Sequence, residues 1–164
     1  GTSSQPQKPG RIRLDDLNWE SRRYHSMRAT VQAKLGVQVL TFELDRRLKE
    51  HGIHNISALV AHPGIAETNV ALAGAEEAKA GVTRFVLGIF NKVFTQTPAA
   101  GALPQLYAAT SPAAQGGDYI GPRGPFEMWG APRHLTPGPI MQDEALADGL
   151  WEKAAQLTGV SYLA

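Results

Sequence analysis

The stretch 27–51 contains no proline, and its apolar residues fall into two sets when laid on a helix at 100° per residue. Val31, Leu35, Val39 and Phe42 make one stripe, and Ala33, Val37, Leu40, Leu44 and Leu48 make another on nearly the opposite side. A helix apolar on two faces needs cover from two layers, here a sheet and a partner helix. Thr30, Lys34, Gln38, Thr41 and Asp45 occupy the polar strip between the stripes, and Thr30 and Lys34, four apart, stand one turn above the other. After Gly52, a helix-ending glycine, residues 55–61 form a short, nearly continuous apolar run stopped by His62-Pro63-Gly64. That pattern predicts a parallel strand buried on both faces. Helix followed by buried strand across a short connection is half of a βαβ unit, so the fold class is α/β, helix-rich with few parallel strands.

The other segments follow from the same rules. Residues 1–23 are polar and rich in turn formers, with Trp19 as the one large anchor, and read as loop with at most a strand end at its start. Residues 75–94 are an amphipathic helix, with Val82, Phe85, Val86, Ile89 and Phe90 at helical spacing. Its apolar face reads as core packing and its charges give little sign of membrane adsorption. Thr97-Pro98 supplies an N-cap and a first-turn proline for a helix to about Thr110, with Leu103, Leu106 and Tyr107 on its buried side and Pro104 as a kink or true start. A short strand is expected at 117–121. The segment 121–139, with five prolines and four glycines, is expected to be irregular and pinned by Phe126, Met128 and Trp129. A last helix spans 143–158 and ends at Gly159.

With 164 residues and 43% hydrophobic content, the chain suffices for one domain over 1–164. Sixteen Lys plus Arg against fifteen Asp plus Glu give no field that argues for nucleic acid. The absence of cysteine excludes disulfides, thiolate zinc sites and a Cys nucleophile. No apolar run approaches a membrane span of about 20 residues, and residues 1–10 lack the apolar core of an export signal, so a cytoplasmic location is expected. His25, His51, His54, His62 and His134 show no metal-like pairing, and no metal site is expected. His62 reads as a packing residue. Arg22, Arg23 and Arg28 read as a solvated or salt-bridged helix entrance.

Ser3-Ser4, Gly10-Arg11-Ile12, Asp15-Asp16-Leu17-Asn18-Trp19, Gln32 to Leu35 and Ala61-His62-Pro63-Gly64 come in a fixed order. They continue through Leu106-Tyr107-Ala108-Ala109, Gly117-Asp118-Tyr119-Ile120-Gly121-Pro122 and Leu150-Trp151-Glu152. Over essentially its whole length the chain resembles the C-terminal half of a short-chain dehydrogenase/reductase, in the branch similar to retinol dehydrogenases and the WW-domain oxidoreductase. The resemblance implies a partial Rossmann-type fold that binds NAD or NADP, with Ser, Tyr and Lys arranged for hydride transfer between an alcohol and a carbonyl. A small apolar alcohol or carbonyl is the implied substrate.

Carried onto this sequence, Ser4 matches the Ser and Lys34 the Lys, which lowers the phenol pKa and binds the nicotinamide ribose. Pro63, Gly64 and Thr68 match the loop that holds the nicotinamide amide and a phosphate oxygen. The Tyr position is Thr30. A threonine hydroxyl has no accessible ionised state near neutrality and is much shorter than a phenol, so Thr30 does not take over the acid/base role. Tyr24, the nearest phenol, precedes the helix and reads as surface packing. The Gly-rich turn that admits a pyrophosphate to a helix N-terminus is absent from the sequence, so the N-terminal nucleotide-binding half is expected to be missing and cofactor binding by this chain alone is doubtful. The sequence therefore predicts an oxidoreductase family member with little or no turnover. The alternative is a non-catalytic remnant, or a module pairing with another chain; helix 27–51, packed on two sides, suits a homo-oligomer. More exposed apolar surface is expected than the composition suggests.

Overall fold

The computed structural model describes residues 1–4, 10–66, 96–161 and 163. Helix α1 spans Ser26–Glu50, as the periodicity predicts, and Gly52 turns the chain out of it at φ +69°. Arg47 and Lys49 lie in its last turn, where cations favour the carboxyl end of the helix dipole.

The sheet has strand order β1 (Val60–Ala61), β2 (Tyr119–Pro122), β3 (Pro132–Leu135). β1 and β2 are parallel, with Val60 opposite Tyr119, while β2 and β3 are antiparallel. The strand end expected at the N-terminus adds to the other side of β1. Thr2 bridges Ala61 in parallel, the Ser3 N–H donates to the Ala61 carbonyl at 2.8 Å, and the Ala61 N–H donates to the Gly1 carbonyl at 2.9 Å. Residues 1–3, β1 and β2 thus run the same way, and α1 returns antiparallel to them, as a crossover helix must.

Four expectations are corrected. The strand expected at 55–61 is confined to its last two residues: Ile56 is 55% exposed, and the chain joins the sheet only where the Ala58 carbonyl accepts from Gly117 N–H. Residues 53–57 are used instead to leave α1, beginning with the Ile53 N–H bond to the Leu48 carbonyl. Second, the Pro-rich segment 121–139 contains β3. Pro122 and Pro132 face each other as a non-hydrogen-bonded pair, where the cross-strand bond runs from Arg123 N–H to the Ala131 carbonyl at 2.9 Å and neither proline has to donate. Third, Phe126 does not pin this segment: it is 79% exposed, whereas Met128 and Trp129 are half-buried.

The fourth concerns the buried side of α2 (Pro98–Thr110). Its start is as expected, with Thr97 Oγ1 accepting from Ala100 N–H at 3.2 Å, but it continues through Pro104 and buries Gly101 and Pro104 while Leu103 and Leu106 are exposed. Contact is made through small groups: a Cβ at Gly101 would stand 2.9 Å from the Ala66 Cβ. Helix α3 (Glu144–Thr158) starts on the Asp143 carboxylate, which accepts from Leu146 N–H, and ends at Gly159 with φ +71°. The helix predicted at 75–94 lies outside the described residues.

Both apolar clusters include α1. Val39 packs with Ala147 and Leu150 of α3, flanked by Ile12, Leu14 and Leu17; Phe42 packs on Val60, Tyr119 and Met141. The intervening polar strip is covered at Gln38 and Asp45, while Thr30 is exposed. Gln38 is 1% exposed and Asp45 4%, because the strip faces the sheet: Gln38 Nε2 donates to the Ser4 carbonyl at 3.2 Å and Asp45 Oδ1 accepts from Ala58 N–H at 3.2 Å.

Candidate active site at the carboxyl edge of the sheet

In open α/β sheets, ligands gather beyond the carboxyl ends of the parallel strands. Two such ends lie side by side here. Thr2 is in register with Ala61, so Ser3-Ser4 and His62-Pro63 leave the sheet together. Ser3 is buried and its Oγ donates to the Lys34 carbonyl at 3.1 Å, which ties this edge to the α1 turn carrying Thr30 and Lys34. Ser4 is half-buried, held by its carbonyl on Gln38. Lys34 is half-buried and Thr30 exposed. Among the described residues, neither the Ser4 hydroxyl nor the Lys34 ammonium has a hydrogen-bond or ion-pair partner, and no side-chain bond joins Ser4, Thr30 and Lys34 to one another. The structure thus gathers Ser4, Lys34 and the 63–64 loop at one edge, with Thr30 one turn away; Thr68 lies outside the described residues.

The loop after β1 is held internally. The Gly64 N–H donates to His62 Nδ1 at 3.2 Å, the Ile65 N–H to the Met128 carbonyl at 2.8 Å, and the Pro63 carbonyl accepts from Gln96 Nε2 at 2.5 Å. Gly64 is required on two counts, since φ is +69° and a Cβ there would come within 2.2 Å of the Met128 carbonyl oxygen. Its backbone donors are therefore committed to protein partners. Among the described residues of the site, Lys34 and Ser4 are the polar side chains left unengaged by protein.

Behind the edge stands a buried set that sequence reasoning did not assemble. His62 is fully buried, its ring centroid 5.4 Å from that of Tyr119, and its Nε2 lies 3.4 Å from Glu127 Oε2. Because Nδ1 accepts from Gly64, the neutral ring carries its proton on Nε2. Burial pulls the His62 pKa down to about 4. Burial pushes the Tyr119 phenol far above the usual tyrosine range, the charge of Glu127 adds to this, and Gln38 opposes it. Neither group titrates near neutrality, so His62 packs and positions the loop, as its sequence context suggests. Tyr119 and Glu127 had no sequence signal, because their proximity to His62 comes from the β1–β2 pairing and the 123–131 loop.

No protein-family model matches the chain. It is 33% identical to human retinol dehydrogenase 13 over 153 residues, 92% of the chain and 42% of that protein. Human retinol dehydrogenase 14 is 32% identical over 96% of the chain and 43% of its own length. Human polyprenol dehydrogenase is 29% identical over 91% of the chain and 41% of its own length. A crystal structure of an uncharacterized protein from Mycobacterium paratuberculosis superposes with a TM-score of 0.72 at 34% identity, covering 98% of this chain and 50% of that one. The chain spans about two fifths of the length of the curated relatives it matches.

Proposed function

We propose, on the premise that the chain is the counterpart of the C-terminal half of a short-chain dehydrogenase/reductase of the retinol-dehydrogenase-like branch, that its carboxyl edge is the catalytic edge of an NAD- or NADP-dependent alcohol/carbonyl oxidoreductase, impaired at Thr30. The convergence of Ser4, the Lys34 turn and the 63–64 loop at adjacent strand ends carries this reading. The Ser4 hydroxyl donates to a substrate oxygen and polarises a carbonyl. The Lys34 ammonium engages the cofactor ribose and places a positive charge beside position 30. When bound, the nicotinamide supplies or accepts the hydride. The proton on the substrate oxygen has no carrier of suitable pKa and reach, because Thr30 stands where the relatives' branch places its phenol. A small apolar alcohol or carbonyl is the substrate class, in keeping with the relatives' names.

Calorimetry with NAD and NADP and turnover of Thr30→Tyr test this. Cofactor binding together with a gain in turnover of at least about a hundredfold in Thr30→Tyr, the lower range of acid/base contributions, would support the reading. A Thr30→Tyr variant that binds cofactor and gains nothing overturns the assignment of position 30; absence of any cofactor binding favours the non-catalytic reading.

Self-association through helix 27–51 is part of the same proposal. Val37 is 39% exposed, and with Leu40 and Leu44 it walls an apolar groove of about 470 Å³ against Trp151 of α3.

A further inference from the structure

A cavity lies between residues 10–13, the 19–23 turn and the first turns of α1. It has a volume of about 770 Å³, and Arg11, Arg13, Arg22, Arg23 and Arg28 stand on its wall with Trp19. Two of the five arginines are neutralised. Arg13 pairs with Asp15 at 2.7 Å; Arg22 lies 3.2 Å from the Asp16 carboxylate and donates to Gln32 Oε1 at 2.7 Å. Arg11, Arg23 and Arg28 have no acidic partner among the described residues. Arg28 sits in the first turn of α1, which contains no acidic residue and whose N-cap His25 makes no side-chain cap. Cations at the positive end of a helix dipole repel it, and an anion there relieves both terms.

Gln32 is used at both ends, its Nε2 donating to the Leu17 carbonyl at 2.9 Å and its Oε1 accepting from Arg22. Trp19 is held at φ +61°, a conformation that is strained for a non-glycine residue. Its ring lies 3.7 Å from the Arg22 guanidinium carbon, and its indole N–H is buried without an acceptor among the described residues. Three guanidiniums without an acidic partner among the described residues match an oxyanion. A phosphate monoester, with about −1.5 to −2 charge at neutrality and three acceptor oxygens, suits three guanidiniums better than a singly charged carboxylate does. Inorganic phosphate would leave most of the volume unfilled, and pockets of roughly 300–1,000 Å³ hold whole small organic molecules. Met27, 61% exposed, and Val31 supply apolar wall for such a body.

We infer that this cleft binds a phosphate monoester of an apolar alcohol or phenol, its phosphate on Arg11, Arg23 and Arg28 and its apolar part along Trp19, Met27 and Val31. The inference does not depend on the dehydrogenase reading. Calorimetry with 1-naphthyl phosphate, 1-naphthoate, 1-naphthol and inorganic phosphate tests it, alongside vesicles of phosphatidylglycerol or phosphatidylcholine. The expected order places 1-naphthyl phosphate at least about tenfold tighter than each of the other three soluble probes. The double variant Arg23→Gln/Arg28→Gln, at exposed positions and checked by circular dichroism, is expected to weaken it at least about tenfold; Arg133→Gln, on β3, is expected to leave it unchanged. Equal loss in both variants, binding no tighter than that of inorganic phosphate, or binding to phosphatidylglycerol vesicles without binding of the soluble monoester would each overturn the inference. The last result would make the cleft part of a membrane-docking surface instead.

Discussion

His62 shows how a single residue can make the stability of this protein depend on pH. Its folded-state pKa of about 4 lies below the ordinary 6.5, so between those values the unfolded chain takes up a proton that the native ring refuses. Its contribution is complete above pH 6.5 and is lost as the pH falls toward 4, about 3 kcal/mol over the window. Urea unfolding of wild type and His62→Leu at pH 7.5 and 4.5 measures this. The wild type should lose about 3 kcal/mol more than the variant on acidification; equal losses would show that the native ring is not held neutral. Other residues were readable from sequence only in part. Thr30 and Lys34 stand out through the resemblance of the motifs around them, since a four-residue spacing alone is that of any polar strip on a helix; Thr97 is legible because a cap is a local signal. The arginine cleft was not found, since Arg11 and Arg28 become neighbours only when Gln32 draws the preceding segment onto α1 through the Leu17 carbonyl.

Among the elements, α1 was legible in full because its period, its lack of proline and Gly52 all act within the segment. The character of its polar strip was not. Gln38 and Asp45 are hydrophilic in any scale, yet both are buried because each finds a backbone partner on the sheet side. α2 was misjudged on its buried face for the converse reason: Gly101 and Pro104 carry almost no hydropathy signal, and close approach selects them. β3 was hidden by the prolines at its end. Glu43 is the clearest element-level test. Its carboxylate, 1% exposed, accepts from Arg46 Nε at 2.8 Å and also pairs with Arg47, while both guanidiniums reach Asp148 of α3. Arg46 is held firmly protonated by Glu43. Glu43→Gln should cost about 2–3 kcal/mol, read from the urea midpoint, because two guanidiniums lose their buried counter-ion. Asp148→Asn, at a half-exposed carboxylate, should cost less than about 1 kcal/mol. Equal costs would show that the α1–α3 contact does not depend on the buried charge.

For the whole molecule, α1 is the shared wall of both apolar clusters, and the fold class follows from that one helix meeting a sheet on one side and α3 on the other. The expectation of exposed apolar surface also belongs at this scale. Tyr24, Met27, Val37, Ile56, Leu103 and Leu106 are among the large apolar residues left exposed. The groove between α1 and α3 is one place where such surface is concave. Sedimentation is expected to show self-association that Val37→Asp shifts toward monomer; a wild-type monomer at tens of micromolar would remove the pairing proposal.

The close fit of Gly121 to His62 has an evolutionary corollary. A Cβ at position 121 would come within 2.2 Å of His62 Nε2 and 2.6 Å of Leu135 Cδ1. Positions 62, 121 and 135, just past β1 and on β2 and β3, therefore share one volume and are not free to drift independently. A homologue that gains a side chain at 121 should carry something smaller than histidine at 62 or than leucine at 135, so these positions should vary as a set, although the chain separates the first two by more than fifty residues.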